Sequence, residues 1–168
     1  MKKPWLLLLL GIFTITVWAA NPPTIVHLGT LPQVEVSDLQ DLQLLKLDPS
    51  VSNAVYTANE DLCIYTSAAR HNYGVTVESD NATHYQLHNG TTNLIVTLWW
   101  SPEAATESAQ ELTPNQTLLV ENNSGSPQLN CPNGANANLQ VRINSDQLIN
   151  LPQGVYSETF NVMITPET

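Results

Sequence analysis

Apolar and polar residues alternate with a period of two along most of this chain, in short segments that turn-forming residues separate. Two segments show the alternation most clearly, with apolar side chains at Tyr73, Val75 and Val77 and at Leu139, Val141 and Ile143. This period places apolar side chains on one face of a β-strand. No stretch of helical length carries a convincing 3.6-residue apolar period. The pattern therefore predicts an all-β protein.

Five further strands follow from the same pattern. They are predicted at residues 62–66, 85–87, 93–100, 117–121 and, as the longest strand, 156–164. Asn89-Gly90 is typical of a tight hairpin turn between two of them. Residues 93–100 are apolar on both faces, which is typical of a strand in the centre of a sandwich. Short strands at this spacing indicate a β-sandwich or a barrel.

Three segments are less regular. Residues 34–47 contain five leucines and can form either a helical turn or a strand. Residues 104–116 have room for one helical turn at most, because Pro102 and Pro114 limit the length of any helix there. Residues 122–138 are rich in Asn, Gly, Ser and Pro, so they are predicted to be a loop.

The first 19 residues have the pattern of a cleaved export signal. A positive start with Lys2 and Lys3 precedes an apolar run, and Val17 and Ala19 provide small residues before a cleavage point. The apolar run is shorter than the roughly 20 residues that span a bilayer. We therefore expect signal cleavage, no stable membrane insertion afterwards, and a location in the periplasm or outside a bacterial cell.

Charge is sparse and strongly acidic. The 168 residues include 5 Lys and Arg against 15 Asp and Glu, and loss of the signal leaves only three basic residues, Lys46, Arg70 and Arg142. A nucleic-acid binder needs a basic face, and this chain cannot assemble one. The 42% hydrophobic content argues against disorder. No catalytic motif or cofactor motif is present, so no enzyme activity and no cofactor are expected.

Cys63 and Cys131 are the two cysteines of the chain. In an exported protein they are expected to form a disulfide. The alternative is a metal site with histidines. Neither cysteine has a Cys or His partner at zinc-site spacing. His84 and His88 lie four residues apart in a predicted strand, where roughly 13 Å would separate them. No metal site is therefore expected.

Trp99 and Trp100 are adjacent in a predicted strand, so their side chains should point to opposite faces. One should lie in the core, and the other is a candidate binding residue at the surface. An exposed tryptophan suits a sugar ring, because its flat apolar face can stack on it. The alternative is that both residues pack within the sandwich or at its edge.

Residues 20–61 precede the first cysteine and contain two β-prone stretches, at residues 24–28 and 33–36. Such stretches can be donated to the open sheet edge of another subunit. They can equally form the first strands of the chain's own sandwich. An exposed apolar strand needs a partner, because an unpaired one promotes aggregation. The candidate donor residues are Thr24, Ile25, Val26, Leu28, Val34 and Val36.

Several short segments together resemble the spore coat protein U-like secreted proteins, a group similar to the archaic chaperone–usher pilus subunits. The shared pattern is an early cysteine strand, a tyrosine-bearing strand, a second cysteine, and a closing Gly-x-Tyr-Ser hairpin with a proline after the last strand. The matching segments are Asp61-Leu62-Cys63-Ile64-Tyr65, Asn72-Tyr73-Gly74-Val75-Thr76, Leu129-Asn130-Cys131, Gly154-Val155-Tyr156-Ser157 and Pro166.

The resemblance implies an immunoglobulin-like antiparallel β-sandwich over residues 62–168, with one disulfide. It also implies a non-enzymatic fimbrial or adhesive role, with assembly into surface fibres by strand donation. The implied partners are a periplasmic chaperone, an usher and like subunits. Residues 20–61 are long enough for a donor and for extra strands, so a self-complemented monomer stays open. The alternative function is a monomeric binding module, for example for carbohydrate.

Overall fold

The computed structural model describes residues 32–40, 42, 50–68, 70–104, 107–121 and 124–167. Within these residues the chain forms nine strands and a single-turn 3-10 helix at Ser145–Gln147. The strands are β1 (Val34–Ser37), β2 (Val55–Thr66), β3 (Tyr73–Val77), β4 (Tyr85–His88), β5 (Asn93–Ser101), β6 (Gln110–Glu111), β7 (Leu118–Val120), β8 (Ala137–Asn144) and β9 (Val162–Pro166).

The strands form two antiparallel sheets. The large sheet has the order β1-β2-β8-β5-β4, and β6 pairs with β5 beside β4. The small sheet has the order β7-β3-β9. No helix among the described residues is long and apolar enough to cross a membrane. The two sheets give the antiparallel sandwich that the sequence predicted.

The core lies between the two sheets. Tyr73 of β3 and Trp100 of β5 are both fully buried, and their rings meet edge to face with 6.3 Å between centroids. Tyr85 of β4 packs in the same way on Phe160, at 5.5 Å. These aromatic pairs join the large sheet to the residues around the small one, so one continuous apolar core holds the sandwich together.

Residues 62–66 lie in a strand as predicted, but the predicted start of that strand is wrong, because β2 has 12 residues and begins at Val55. Its first eight residues pair with β8, up to Leu62 opposite Ala137. Polar residues such as Asn59 and Asp61 face solvent in this half, which conceals the strand in the apolar pattern. The strand crosses the boundary that the sequence suggested between residues 61 and 62.

The prediction that residues 156–164 form the longest strand is also wrong. Ser157 exchanges two backbone hydrogen bonds with His88 of β4, so it lies against the large sheet. Asn161 already accepts a hydrogen bond from the Glu78 N–H, next to β3. The segment therefore crosses from one sheet to the other before β9 begins at Val162, and a chain that changes sheets cannot continue one ladder.

The predicted β4–β5 hairpin is present. Asn89 Oδ1 accepts hydrogen bonds from the N–H groups of Thr91 and Thr92, and Gly90 has a φ of 89°, which favours glycine. The prediction that β5 is buried on both faces is wrong. Its inward residues, such as Leu98, are buried, whereas Ile95 on the outward face is 41% exposed.

The three less regular segments adopt different structures. Residues 34–47 contain β1, and the described part of residues 104–116 contains β6 and no helix. The described part of the predicted loop 122–138 is irregular up to β8. The Asn136 side chain fixes this loop to β2, because it accepts a hydrogen bond from the Ile64 N–H and donates one to the Ile64 carbonyl.

The disulfide between Cys63 and Cys131 is present, with 5.7 Å between the two Cα atoms. Cys63 lies in β2, and Cys131 lies in the loop that precedes β8. The bond and the Asn136 side chain therefore hold the same loop against the same strand. The sequence-based prediction of this disulfide is confirmed.

Candidate functional site

β9 is an edge strand of the small sheet among the described residues. At its end, the Glu167 N–H donates a hydrogen bond to the Asn72 carbonyl, beside β3. Backbone groups alternate in direction along an antiparallel strand. The unbroken register with β3 therefore directs the N–H and C=O groups of Val162 and Ile164 away from β3. β9 presents a row of backbone groups that its own sheet does not use.

β1 is likewise an edge strand among the described residues, at one side of the large sheet. The Ser67 N–H donates to the Gln33 carbonyl, just before β1, and Val34 then pairs in register with Thr66. By the same alternation, the backbone groups of Val34 and Val36 point away from β2. The free edges of β1 and β9 therefore each carry two residues with outward-directed backbone groups.

The two edges lie side by side at one margin of the sandwich. Cα atoms of β1 and β9 approach within 8 Å, yet no ladder joins these two strands. The side chains of Val34, Val36, Val162 and Ile164 pack against the core and are only partly buried. Val75, on the neighbouring β3, is fully buried by contrast. This margin is therefore an incompletely covered part of the core.

Such a margin has the chemistry to receive an extended segment. Backbone hydrogen bonds to an edge provide affinity, and alternate apolar side chains of the added strand cover the core. Neighbouring strands lie about 4.8 Å apart, so a strand inserted between β1 and β9 needs them about 9.5 Å apart. The two edges must therefore separate slightly to admit a full strand.

The candidate donor residues fall into two groups. Val34 and Val36 lie in β1, opposite Thr66 and Ile64 of the same chain. Thr24, Ile25, Val26 and Leu28 lie outside the described residues, as do the expected signal sequence and its cleavage point. The structure thus places the second β-prone stretch in the chain's own sheet.

The two tryptophans point to opposite faces of β5. Trp100 is fully buried, and its Nε1–H donates a 3.4 Å hydrogen bond to the Tyr73 hydroxyl. Trp99 is partly exposed on the outer face, and the Arg142 Cζ lies 4.0 Å from the centroid of its ring. Only Trp99 is therefore placed to contact a ligand. No pattern in the sequence singles out Arg142 as its neighbour.

Acidic side chains gather where residues 158–161 cross from β4 to the end of β3. A cavity of about 290 Å³ is lined by Glu78, Asp80 and Glu158 together with polar side chains. His88 Nδ1 lies 2.9 Å from Glu158 Oε2. Within the described residues, no three His, Cys, Asp or Glu side chains are arranged to hold a metal ion.

Comparison with known proteins supports the fold. No protein-family model matches the sequence, and no curated protein matches it either. In structure, the chain is similar to a chain of a solved chaperone–tip adhesin complex, described as vital for the synergistic activation of CFA/I fimbriae biogenesis. The TM-score is 0.57 at 16% sequence identity, and the match covers 80% of this chain. It covers 42% of that chain, so this chain spans less than half the length of its structural neighbour.

Proposed function

We propose that this protein is an exported, pilus-related structural subunit that accepts a β-strand from a like subunit. The observation that carries the proposal is the margin between β1 and β9. There, partly buried valine and isoleucine side chains lie beside backbone groups that no described strand pairs. Unpaired edges of this kind promote uncontrolled association unless a specific strand covers them.

The donated strand is proposed to come from residues 24–28 of another copy. In an extended conformation, Thr24, Val26 and Leu28 share one face, while Ile25 and His27 share the other. The first face offers an apolar side chain at alternate positions, which is what the partly covered core requires. The expected export signal places this assembly in the periplasm or on the cell surface.

A periplasmic chaperone and an usher are the further partners in this proposal. Before assembly, an unpaired edge needs protection, and a chaperone that lends a strand provides it. The structural neighbour, which belongs to a chaperone–tip adhesin complex, supports the chaperone as a partner. The role is structural or adhesive and non-enzymatic.

Two matched substitutions in the expected donor test the proposal. Val26→Asp places a charge on the face that should enter the core, whereas His27→Asp places it on the opposite face. We expect Val26→Asp to abolish assembly and His27→Asp to leave it intact. The molar mass of the exported protein, measured by light scattering, reads out the result. A wild-type protein that stays monomeric at all concentrations, or equal assembly of both variants, would contradict the proposal.

A further inference from the structure

The outer face of the large sheet carries a polar patch around Trp99 and Arg142. Arg70, the other Lys or Arg among the described residues, lies far from Arg142 in sequence. In register, Arg142 of β8 lies between Thr57 of β2 and Thr97 of β5. Gln140 lies in the same way between Asn59 and Trp99. We name this surface the Trp99–Arg142 face, and it consists of Thr57, Asn59, Thr97, Trp99, Gln140 and Arg142. Glu111 of β6 lies opposite Trp99 in register, so one carboxylate borders this face.

Three contacts fix the Arg142 guanidinium on this face. Its Nε and Nη2 atoms donate hydrogen bonds to Gln140 Oε1 at 3.1 and 2.7 Å. Its Cζ stacks 4.0 Å from the centroid of the Trp99 ring. Trp99 is itself held by its Nε1–H, which donates a 3.0 Å hydrogen bond to Thr97 Oγ1. The cation is therefore held in one orientation before any ligand arrives.

Gln140 holds Arg142 at an energetic cost. Its side chain is almost fully buried, and its Nε2 atom has no hydrogen-bond partner among the described residues. A buried donor without a partner destabilises a fold. A purely structural role for Gln140 would be filled better by an apolar residue, whereas positioning of Arg142 needs the Oε1 acceptor.

The charge of Arg142 is not balanced within the described part of the chain. Although the sequence has 15 acidic residues, no described carboxylate oxygen lies within 4.0 Å of the guanidinium. Both residues opposite it, Thr57 and Thr97, are neutral. The two bonds to Gln140 leave one N–H on Nη2 and both on Nη1. These N–H groups form the free end of the forked guanidinium, and this end can bind a carboxylate with two hydrogen bonds.

From this geometry we infer that the Trp99–Arg142 face binds a carboxylate-bearing saccharide. The free end of the Arg142 fork pairs with the sugar carboxylate, and the exposed part of the Trp99 ring contacts the apolar face of the sugar ring. Thr57 and Asn59 are exposed beside them and can exchange hydrogen bonds with sugar hydroxyls. Glu111 borders the face opposite Trp99, but its carboxylate lies more than 4.0 Å from the Arg142 guanidinium and so does not occupy the proposed carboxylate position. Charges farther away than about 8 Å are largely screened at physiological salt.

This binding site is separate from strand acceptance. The Trp99–Arg142 face is built from β2, β8 and β5 of the large sheet, whereas the strand-accepting margin is built from β1 and β9. Loss of assembly therefore leaves the face in place. The Val26→Asp monomer and the wild-type protein should bind the same saccharide, so the two proposals fail independently.

Calorimetric titration of the full chain with trigalacturonate tests the inference, with fully methyl-esterified trigalacturonate as the matched neutral probe. We expect the acid to bind at least tenfold more tightly than its ester. Titration with 3′-sialyllactose, compared with lactose, extends the test to a second acidic sugar. Equal affinity for both members of each pair, or no binding of either acid, would overturn the inference.

Two substitutions provide the control on the protein side. Arg142→Gln should weaken binding of the preferred acid at least tenfold, whereas Arg70→Gln removes the same charge from an exposed site elsewhere and should not change it. Equal losses in both variants would mean a general charge effect and would refute the assignment of this face. Comparison of acid and ester on the wild-type protein keeps the inference testable if Arg142→Gln fails to fold.

Discussion

Two buried tyrosines, Tyr73 and Tyr85, differ in one hydrogen bond. The Tyr73 hydroxyl accepts a hydrogen bond from Trp100 Nε1, whereas the Tyr85 hydroxyl has no partner among the described residues. Leaving a buried hydroxyl unpaired costs about 1–3 kcal/mol. At the scale of single residues, this difference gives the clearest expectation for stability.

Tyr85→Phe should therefore leave the free energy of unfolding unchanged or raise it by about 1 kcal/mol, because it removes an unsatisfied hydroxyl without changing the ring. Tyr73→Phe is the matched control and should lower stability by about 1 kcal/mol, because Trp100 Nε1 loses its acceptor. Urea unfolding of both variants measures the difference. A larger loss for Tyr85→Phe than for Tyr73→Phe would contradict the described packing.

Both tyrosines should also limit stability at high pH. Burial raises the pKa of Tyr73 and of Tyr85 from 10.0 to about 12, and the Trp100 hydrogen bond opposes this rise at Tyr73. Above pH 10 the unfolded chain releases these protons while the folded chain keeps them, so unfolding becomes more favourable. We expect the free energy of unfolding to fall between pH 10 and 12, measured by urea titration. Constant stability across this range in wild type would refute the expectation.

Residue-level prediction from sequence succeeded where the strand period alone decides the outcome. Adjacent residues of a strand face opposite ways, and Trp100 indeed lies in the core while Trp99 lies on the outer face. The pairing of Trp99 with Arg142 could not be predicted in the same way. It depends on the register between β5 and β8, whose first residues are 44 positions apart, and no local sequence pattern sets that register.

At the scale of elements, apolar alternation identified β3, β4, β5 and β8 and missed half of β2. Residues 55–61 form a strand through pairing with β8, although several of their side chains are polar and exposed. The opposite error affected β9, because residues 156–161 carry apolar side chains but cross between sheets. Hydrogen-bond partners set strand ends, and the sequence shows only side chains.

The disulfide joins two elements that are distant in sequence, and its removal should be costly. Cys63 and Cys131 are 68 residues apart, and a cross-link of that length stabilises a fold by about 4 kcal/mol through the entropy of the unfolded chain. We expect the double variant Cys63→Ala, Cys131→Ala to lose stability of this order, measured by denaturant unfolding beside the oxidised wild type. A loss below about 1 kcal/mol would show that the loop is held by other contacts, such as Asn136.

At the scale of the whole molecule, the sequence predicted a disulfide-linked antiparallel sandwich, and that prediction is confirmed. The sequence also suggested candidate donor residues. Val26 and its neighbours lie outside the described residues, so their role as a donated strand stays a prediction. The open margin between β1 and β9 could not be predicted from the sequence. Val162 and Ile164 look like any strand residues until the sheet order shows that β9 lies at an edge beside β1.

Amide hydrogen exchange at Val162 and Ile164 tests the central claim most directly, because these two N–H groups face the open margin. We expect both amides to exchange slowly in assembled wild-type protein and at least about tenfold faster in the Val26→Asp monomer. Met163 and Thr165, whose amides face β3, should stay protected in both samples and serve as controls. Equal exchange of the Val162 and Ile164 amides in the two samples, whether fast or slow, would contradict strand acceptance at this edge.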